Sequence, residues 1–91
     1  MPAAKPHADR IVMITGAAKG IGAATAQAFA NAGATVVLAD IDTAALAKTT
    51  AALPGSGHLA ITLDVTSDGG WAEAMAQVGA AFGRLDVLVN N

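Results

Sequence analysis

A doubly wound parallel sheet of the α/β class is indicated for this chain of 91 residues by three features. Four short aliphatic runs recur along it: Ile11 to Thr15, Thr35 to Ala39, Leu59 to Leu63, and Leu85 to Val89. None alternates cleanly with polar residues, the pattern of parallel strands buried on both faces. Between the runs lie three stretches with helical start and stop signals, so strand and helix alternate throughout. The first run passes directly into a glycine turn, Thr15-Gly16-Ala17-Ala18-Lys19-Gly20-Ile21-Gly22.

The first helix is expected from about Gly20 to Asn31, with Gly33 placed to end it in a left-handed C-terminal cap. The second follows Asp42, a residue suited to capping a helix start, and ends before Pro54-Gly55. The third follows Thr66-Ser67 and puts Trp71, Ala74, Met75, Val78 and Phe82 on one stripe, closing at Gly83. Gly69-Gly70 weakens its start, so an irregular first turn is expected there. Right-handed crossovers give four strands in the order 3-2-1-4, with the first two helices on one face and the third on the other. The order reverses between the first and fourth strands, and ligands bind at such a switch point. The glycine turn sits there. Residues 11–91 thus form one unit preceded by an N-terminal extension over 1–10.

Composition narrows the function. Apolar residues make up 54% and aromatics only 3%, so the core is built from alanine and aliphatics. Five basic against seven acidic residues leave a net charge of -2, with no basic stripe for nucleic acid or an anionic membrane. No apolar run approaches the roughly 18 residues of a spanning helix. The first ten residues hold no apolar stretch of a secretory signal, so a cytoplasmic location is expected. The absence of cysteine removes thiolate nucleophiles and cysteine metal sites, and His7 and His58 lack partners at metal-ligand spacing. No metal is expected.

The glycine turn carries the chemistry. A buried strand, a tight turn and a helix start build a pyrophosphate cradle, with free N–H groups and the positive dipole end directed at the turn. Gly16, Gly20 and Gly22 fall at i, i+4 and i+6, wider than the i, i+2, i+5 of the common dinucleotide fingerprint. Asp40 closes the second strand 18 residues after Gly22, near the roughly 20 expected of a ribose-binding acid. A carboxylate there accepts hydrogen bonds from two ribose hydroxyls and repels a 2′-phosphate, which favours NAD over NADP. The bland alternative is a capping or turn aspartate.

These residues, with Asp64-Val65 after the third strand and Asn90-Asn91 after the fourth, resemble the amino-terminal part of a short-chain dehydrogenase/reductase. The resemblance implies a Rossmann-like fold, incomplete relative to the family, and about the first third of a usual member. It implies cofactor contacts from Gly16, Ala17, Ala18, Lys19, Gly20, Ile21 and Gly22, from Asp40 and Ile41, from Asp64 and Val65 at the adenine, and from Asn90 near the adenosine ribose. Asn91 is expected to hold the central strands together and Thr15 to bond within the turn. Lys19 opposes the NAD assignment, because some members with a basic residue before the second glycine prefer NADP; the carboxylate of Asp40 is the stronger influence. The complete protein is expected to move a hydride between NAD(H) and a small alcohol or carbonyl substrate, as a homo-oligomer. The family's acid/base is a tyrosine, supported by a lysine and a serine, and this sequence contains no tyrosine. No catalytic residue is therefore assigned, and the 91 residues alone are expected to bind nucleotide weakly without turnover. A stand-alone nucleotide-binding or interaction module is the alternative, and a doubly wound methyltransferase a weaker one.

Overall fold

Strand β1 (Ile11–Thr15) is buried along its whole length, and the sheet is assembled around it. The computed structural model describes residues 5–91, in the order β1, α1 (Gly20–Asn31), β2 (Thr35–Asp40), α2 (Thr43–Ala51), β3 (Leu59–Thr62), α3 (Asp68–Phe82) and β4 (Val87–Val89). The described sheet runs β3-β2-β1-β4 with every pair parallel, as the crossover rule requires. Ile11 to Thr15 stand opposite Thr35 to Ala39, Val12 to Ile14 opposite Val87 to Val89, and Val37 to Asp40 opposite Leu59 to Thr62.

Side chains alternate across the sheet, so two adjacent strands supply both cores. Val12, Ile14, Val36 and Leu38 face α1 and α2, where Ala26, Ala30 and Leu46 meet them. Ile11, Met13, Val37 and Ala39 face α3 through Ala74 and Val78, with Ile61 and Leu63 beside them. The alanine content serves this arrangement: Ala26 at full burial and Ala30 nearly so let α1 lie close on the sheet.

Each helix end has an identifiable cause. Gly33, at φ +96°, closes α1 in a Schellman motif, its N–H reaching Ala30 O at 3.0 Å while Ala34 N–H reaches Phe29 O at 3.0 Å. Asp42 caps α2 by accepting from Ala45 N–H at 3.1 Å. Ser67 caps α3 through Gly70 N–H at 3.0 Å, and Gly83 ends that helix in the left-handed region. The expected irregular start of α3 is absent: the Ser67 cap offsets the poor helix propensity of Gly69-Gly70, each effect being about 1 kcal/mol.

Other details also differ from the sequence reading. β3 and β4 are shorter than their apolar runs, while Asp40 closes β2 as expected. β3 does alternate, with Ala60 and Thr62 exposed and Ile61 buried, because it is the edge strand beyond the reach of α1. Met75, placed on the buried stripe of α3, is 37% exposed, and Leu88 on β4 is 47% exposed because α3 lies over β1, β2 and β3 rather than over β4.

Residues 5–10 pack against the end of α1. His7 N–H donates to Ala32 O at 2.9 Å, its ring meets Phe29 edge-on at 5.2 Å, and Thr35 N–H donates to Arg10 O at 2.9 Å. Asp86 then ties β4 to the start of β1, accepting from Ile11 N–H at 2.8 Å and from Arg84 at 3.1 Å. Arg84 also donates to the carbonyl of Asp9. Residues 1–4 of the expected extension lie outside the described part.

Candidate functional site

At the carboxyl ends of β1 and β2 the chain opens a cleft of about 220 Å³, lined by Gly16, Asp40, Ile41, Leu63, Asp64, Val65 and Asn91. It extends past the end of β3, and Gly16 and Asn91 border it where the strand order reverses, between β1 and β4. Gly16 and Gly20 have φ of +61° and +59°, a backbone conformation that favours glycine. Gly22 is required for a different reason. A Cβ on it would lie 2.0 Å from the Gly16 carbonyl oxygen and 2.8 Å from the Asn91 side-chain nitrogen. Its hydrogen-only side chain lets α1 start against the turn.

The start of α1 differs chemically from those of α2 and α3. Lys19 occupies its N-cap in extended conformation and its side chain does not cap the helix, whereas Asp42 and Ser67 cap the other two. First-turn N–H groups of a helix have no partner within it. Those of α1 therefore stand at the turn with the helix's positive end and no capping side chain, which suits a phosphate anion.

The amides of Ala17 and Ala18 turn inward. Ala17 N–H donates to Ala39 O at 3.1 Å, and Ala18 N–H to Asp40 Oδ2 at 3.0 Å. Both alanines are buried and fix the turn from below. The second oxygen of Asp40 accepts from Asp42 N–H at 3.0 Å. Asp40 thus knots the turn, the end of β2 and the approach to α2, while the remaining lone pairs of its carboxylate are available to a ligand.

Ile21, Ile41 and Val65, 78%, 67% and 50% exposed, are the three most exposed large apolar residues described and form an apolar rim here. Asp64 follows Leu63, whose N–H donates to Asp40 O at 3.0 Å. Its Oδ1 accepts both the hydroxyl and the N–H of Thr66, at 2.6 and 2.9 Å. The Thr66 hydroxyl first, then its N–H, holds the Asp64 carboxyl below the usual range, so it stays ionised. Trp71 donates its ring N–H to Val65 O at 2.9 Å, which fixes the loop after β3.

At the end of β4, Thr15 donates its hydroxyl to Asn90 Oδ1 at 3.2 Å and accepts from Asn91 N–H at 3.1 Å. The Asn91 side chain donates to Gly16 O at 3.3 Å. Thr15 therefore bonds to the end of the neighbouring strand rather than within the turn, and Asn91 joins the central strands as expected. Gly16, Asp40, Ile41, Asp64 and Val65 line the cleft, and the remaining sequence-identified residues surround it in the turn, the start of α1 and the end of β4.

Three participants escaped the sequence reading. Asp42, read as a cap alone, also pairs with Lys19 at 3.1 Å. Thr49 on α2 donates its hydroxyl to Ala18 O at 2.5 Å, supporting the turn from 31 residues away, and no local pattern announces it. Leu63 lines the cleft floor although it reads as a strand residue. Among the described residues no cluster of three or more His, Cys, Asp or Glu is placed to hold a metal, and no helix is long and apolar enough to cross a membrane.

Known proteins share this fold. The family described as short chain dehydrogenase matches residues 10–91. Galactitol 2-dehydrogenase of Agrobacterium fabrum is 47% identical over 83 residues, which span 91% of this chain and 32% of that protein. The crystal structure of 3-ketoacyl-(acyl-carrier-protein) reductase from Brucella melitensis complexed with NADH superposes with a TM-score of 0.84 at 31% identity, over 89% of this chain and 33% of that one. A short chain dehydrogenase/reductase from Burkholderia phymatum in complex with NAD gives 0.83 at 33% identity, over 87% and 29%. The chain spans about a third of the length of the curated relatives it matches.

Proposed function

Because the chain belongs to the short chain dehydrogenase family, we propose that it supplies the dinucleotide-binding part of an oxidoreductase acting on an alcohol or carbonyl substrate. The observation that carries this reading is the Gly16–Gly22 contact at the switch point, beside a helix start with no side-chain cap. Two similar structures hold NADH and NAD, which supports a nicotinamide cofactor here. Such a cofactor supplies the hydride acceptor or donor. What this chain contributes is binding and orientation.

In this reading the turn Gly16 to Gly22 takes the pyrophosphate. Gly20, Ile21 and Gly22 present the start of α1, and Lys19 adds a cation at the rim. Ala17 and Ala18 set the turn's shape, Asp40 receives the adenosine ribose hydroxyls, and Ile41 and Val65 flank the adenine. The ionised Asp64 accepts from the exocyclic amine, and Asn90, held by Thr15, borders the ribose. The cleft of about 220 Å³ is below the roughly 300–1,000 Å³ of a whole ligand pocket, in keeping with its taking the adenosine end only. Asp40 favours NAD, since a 2′-phosphate would bring more negative charge to a carboxylate already fixed by two backbone donors. We further assign 11–91 as the partial dinucleotide-binding unit and 1–10 as its extension, with a cytoplasmic homo-oligomer as the complete protein.

The sequence contains no tyrosine to act as the family's acid/base, which favours binding without turnover by these 91 residues. Calorimetric titration with NAD, joined to a dehydrogenase assay over a panel of alcohols, tests both statements. The expected outcome is saturable binding with no reduction of NAD. Absence of binding by an ordered chain would overturn the site, and turnover would overturn the assignment of these residues to binding alone.

A further inference from the structure

We propose that Asp42 is a specificity-determining residue, which selects against a 2′-phosphorylated dinucleotide by keeping Lys19 in an ion pair at the rim of the cleft. This rests on the dinucleotide reading above and adds to it a residue outside the resemblance.

The argument begins with the two oxygens of Asp42. Oδ1 accepts from Ala45 N–H at 3.1 Å and so is committed to the start of α2, while Oδ2 meets Lys19 Nζ at 3.1 Å. The carboxylate is anchored by a helix and the lysine is not: the Lys19 side chain is 71% exposed and that of Asp42 40%. The Ala45 N–H first, and then the Lys19 ammonium, hold the Asp42 carboxyl below the usual range, so its charge persists at neutral pH.

Both members of the pair adjoin the Asp40 knot. Ala18 N–H, from the residue before Lys19, donates to one Asp40 oxygen, and Asp42 N–H donates to the other. Asp40, Asp42 and Lys19 therefore form one local group whose formal charge is −1, being two carboxylates against one ammonium. An exposed ion pair contributes little to stability. Its consequence here is for the field at the sugar. A 2′-hydroxyl is indifferent to that field, whereas a phosphate carrying about −1.5 to −2 charges is repelled by it. With the Asp42 charge removed, the group becomes neutral and the ammonium is released to meet a phosphate.

Asp42→Asn keeps a side-chain oxygen for the Ala45 N–H and removes only the charge, since Asn is as good an N-cap as Asp. Dissociation constants for NAD and NADP are measured by calorimetric titration of the unaltered chain and the variant, at low and high salt. The expected result is a fall of about 3- to 10-fold in the NADP-to-NAD ratio of dissociation constants at low salt, shrinking at high salt. Adding Lys19→Gln to Asp42→Asn should cancel most of that fall. Asp42→Ser, a second uncharged capping residue, stands in should the asparagine variant melt early. An unchanged ratio in an ordered variant would overturn the proposal, and so would a fall of the same size in the background lacking Lys19. Should the unaltered chain bind neither dinucleotide, the site reading fails and takes this proposal with it. Binding of NAD together with an unmoved ratio defeats the role of Asp42 alone.

Discussion

At the scale of single residues, two glycines of one turn do different work and predict different costs. Gly20 has φ +59° with nothing within 4 Å of a built Cβ, so alanine there meets only backbone strain. That strain is about 1–2 kcal/mol, partly offset because alanine also restricts the unfolded chain. Gly22 has no such latitude: its added Cβ would stand 2.0 Å from the Gly16 carbonyl oxygen, a backbone atom that moves only if the whole turn moves. Gly22→Ala is expected to destabilise by about 3 kcal/mol and to remove dinucleotide binding, and Gly20→Ala to destabilise by about 1 kcal/mol. Chemical denaturation of both variants checks the contrast, and equal midpoints would mean the close approach of α1 to the turn is not needed.

At the scale of elements, what was legible in the sequence was whatever a local pattern encodes. The aliphatic run Ile11 to Thr15, the Gly33 stop and the Asp42 start each carry their structural cause within a few residues, and the crossover rule then fixed the strand order. Contacts between elements were not legible. Lys19 and Asp42, Thr49 and Ala18, and Val36 and His58 meet across separations of 22 to 31 residues, and no periodicity announces a partner so far away. His58, which in the sequence shows only the lack of partners at metal-ligand spacing, illustrates what is lost. Its Nδ1 accepts from Val36 N–H at 3.0 Å and its Nε2 donates to Pro54 O at 2.7 Å, so the imidazole extends the β2–β3 ladder one step beyond the first strand pair. Val36 is fully buried, and no strand residue faces its N–H. His58→Ala orphans that donor, which is expected to cost about 1–3 kcal/mol. Urea unfolding reads the loss, and hydrogen exchange at the Val36 amide should quicken; an unchanged exchange rate would mean water replaces the ring without penalty.

For the molecule as a whole, three aspartates at three joints make stability depend on pH in one direction. Asp42 is held low mainly by the Ala45 N–H, Asp64 mainly by the Thr66 hydroxyl, and Asp86 mainly by the Ile11 N–H. Each is a carboxylate whose ionised form the fold prefers, so the folded chain releases the proton more readily than the unfolded chain does. Their stabilisation is therefore complete above the ordinary aspartate range and is lost as pH falls through the lower folded values, that is, below about pH 4. Asp86 has the widest structural reach, because it joins the start of β1 to the approach to β4 and, through Arg84, to the Asp9 carbonyl of the N-terminal segment. Asp86→Asn retains an oxygen for the Ile11 N–H but no longer titrates. Thermal midpoints measured from about pH 7 down to about pH 2 should fall for both proteins, because Asp42 and Asp64 still titrate, but less steeply for the variant. The variant should melt lower than the unaltered chain near neutrality, where the charged acceptor is stronger, and the two curves should approach each other once Asp86 is protonated. Parallel curves over the whole range would show that the β1–β4 joint does not depend on the charge of Asp86.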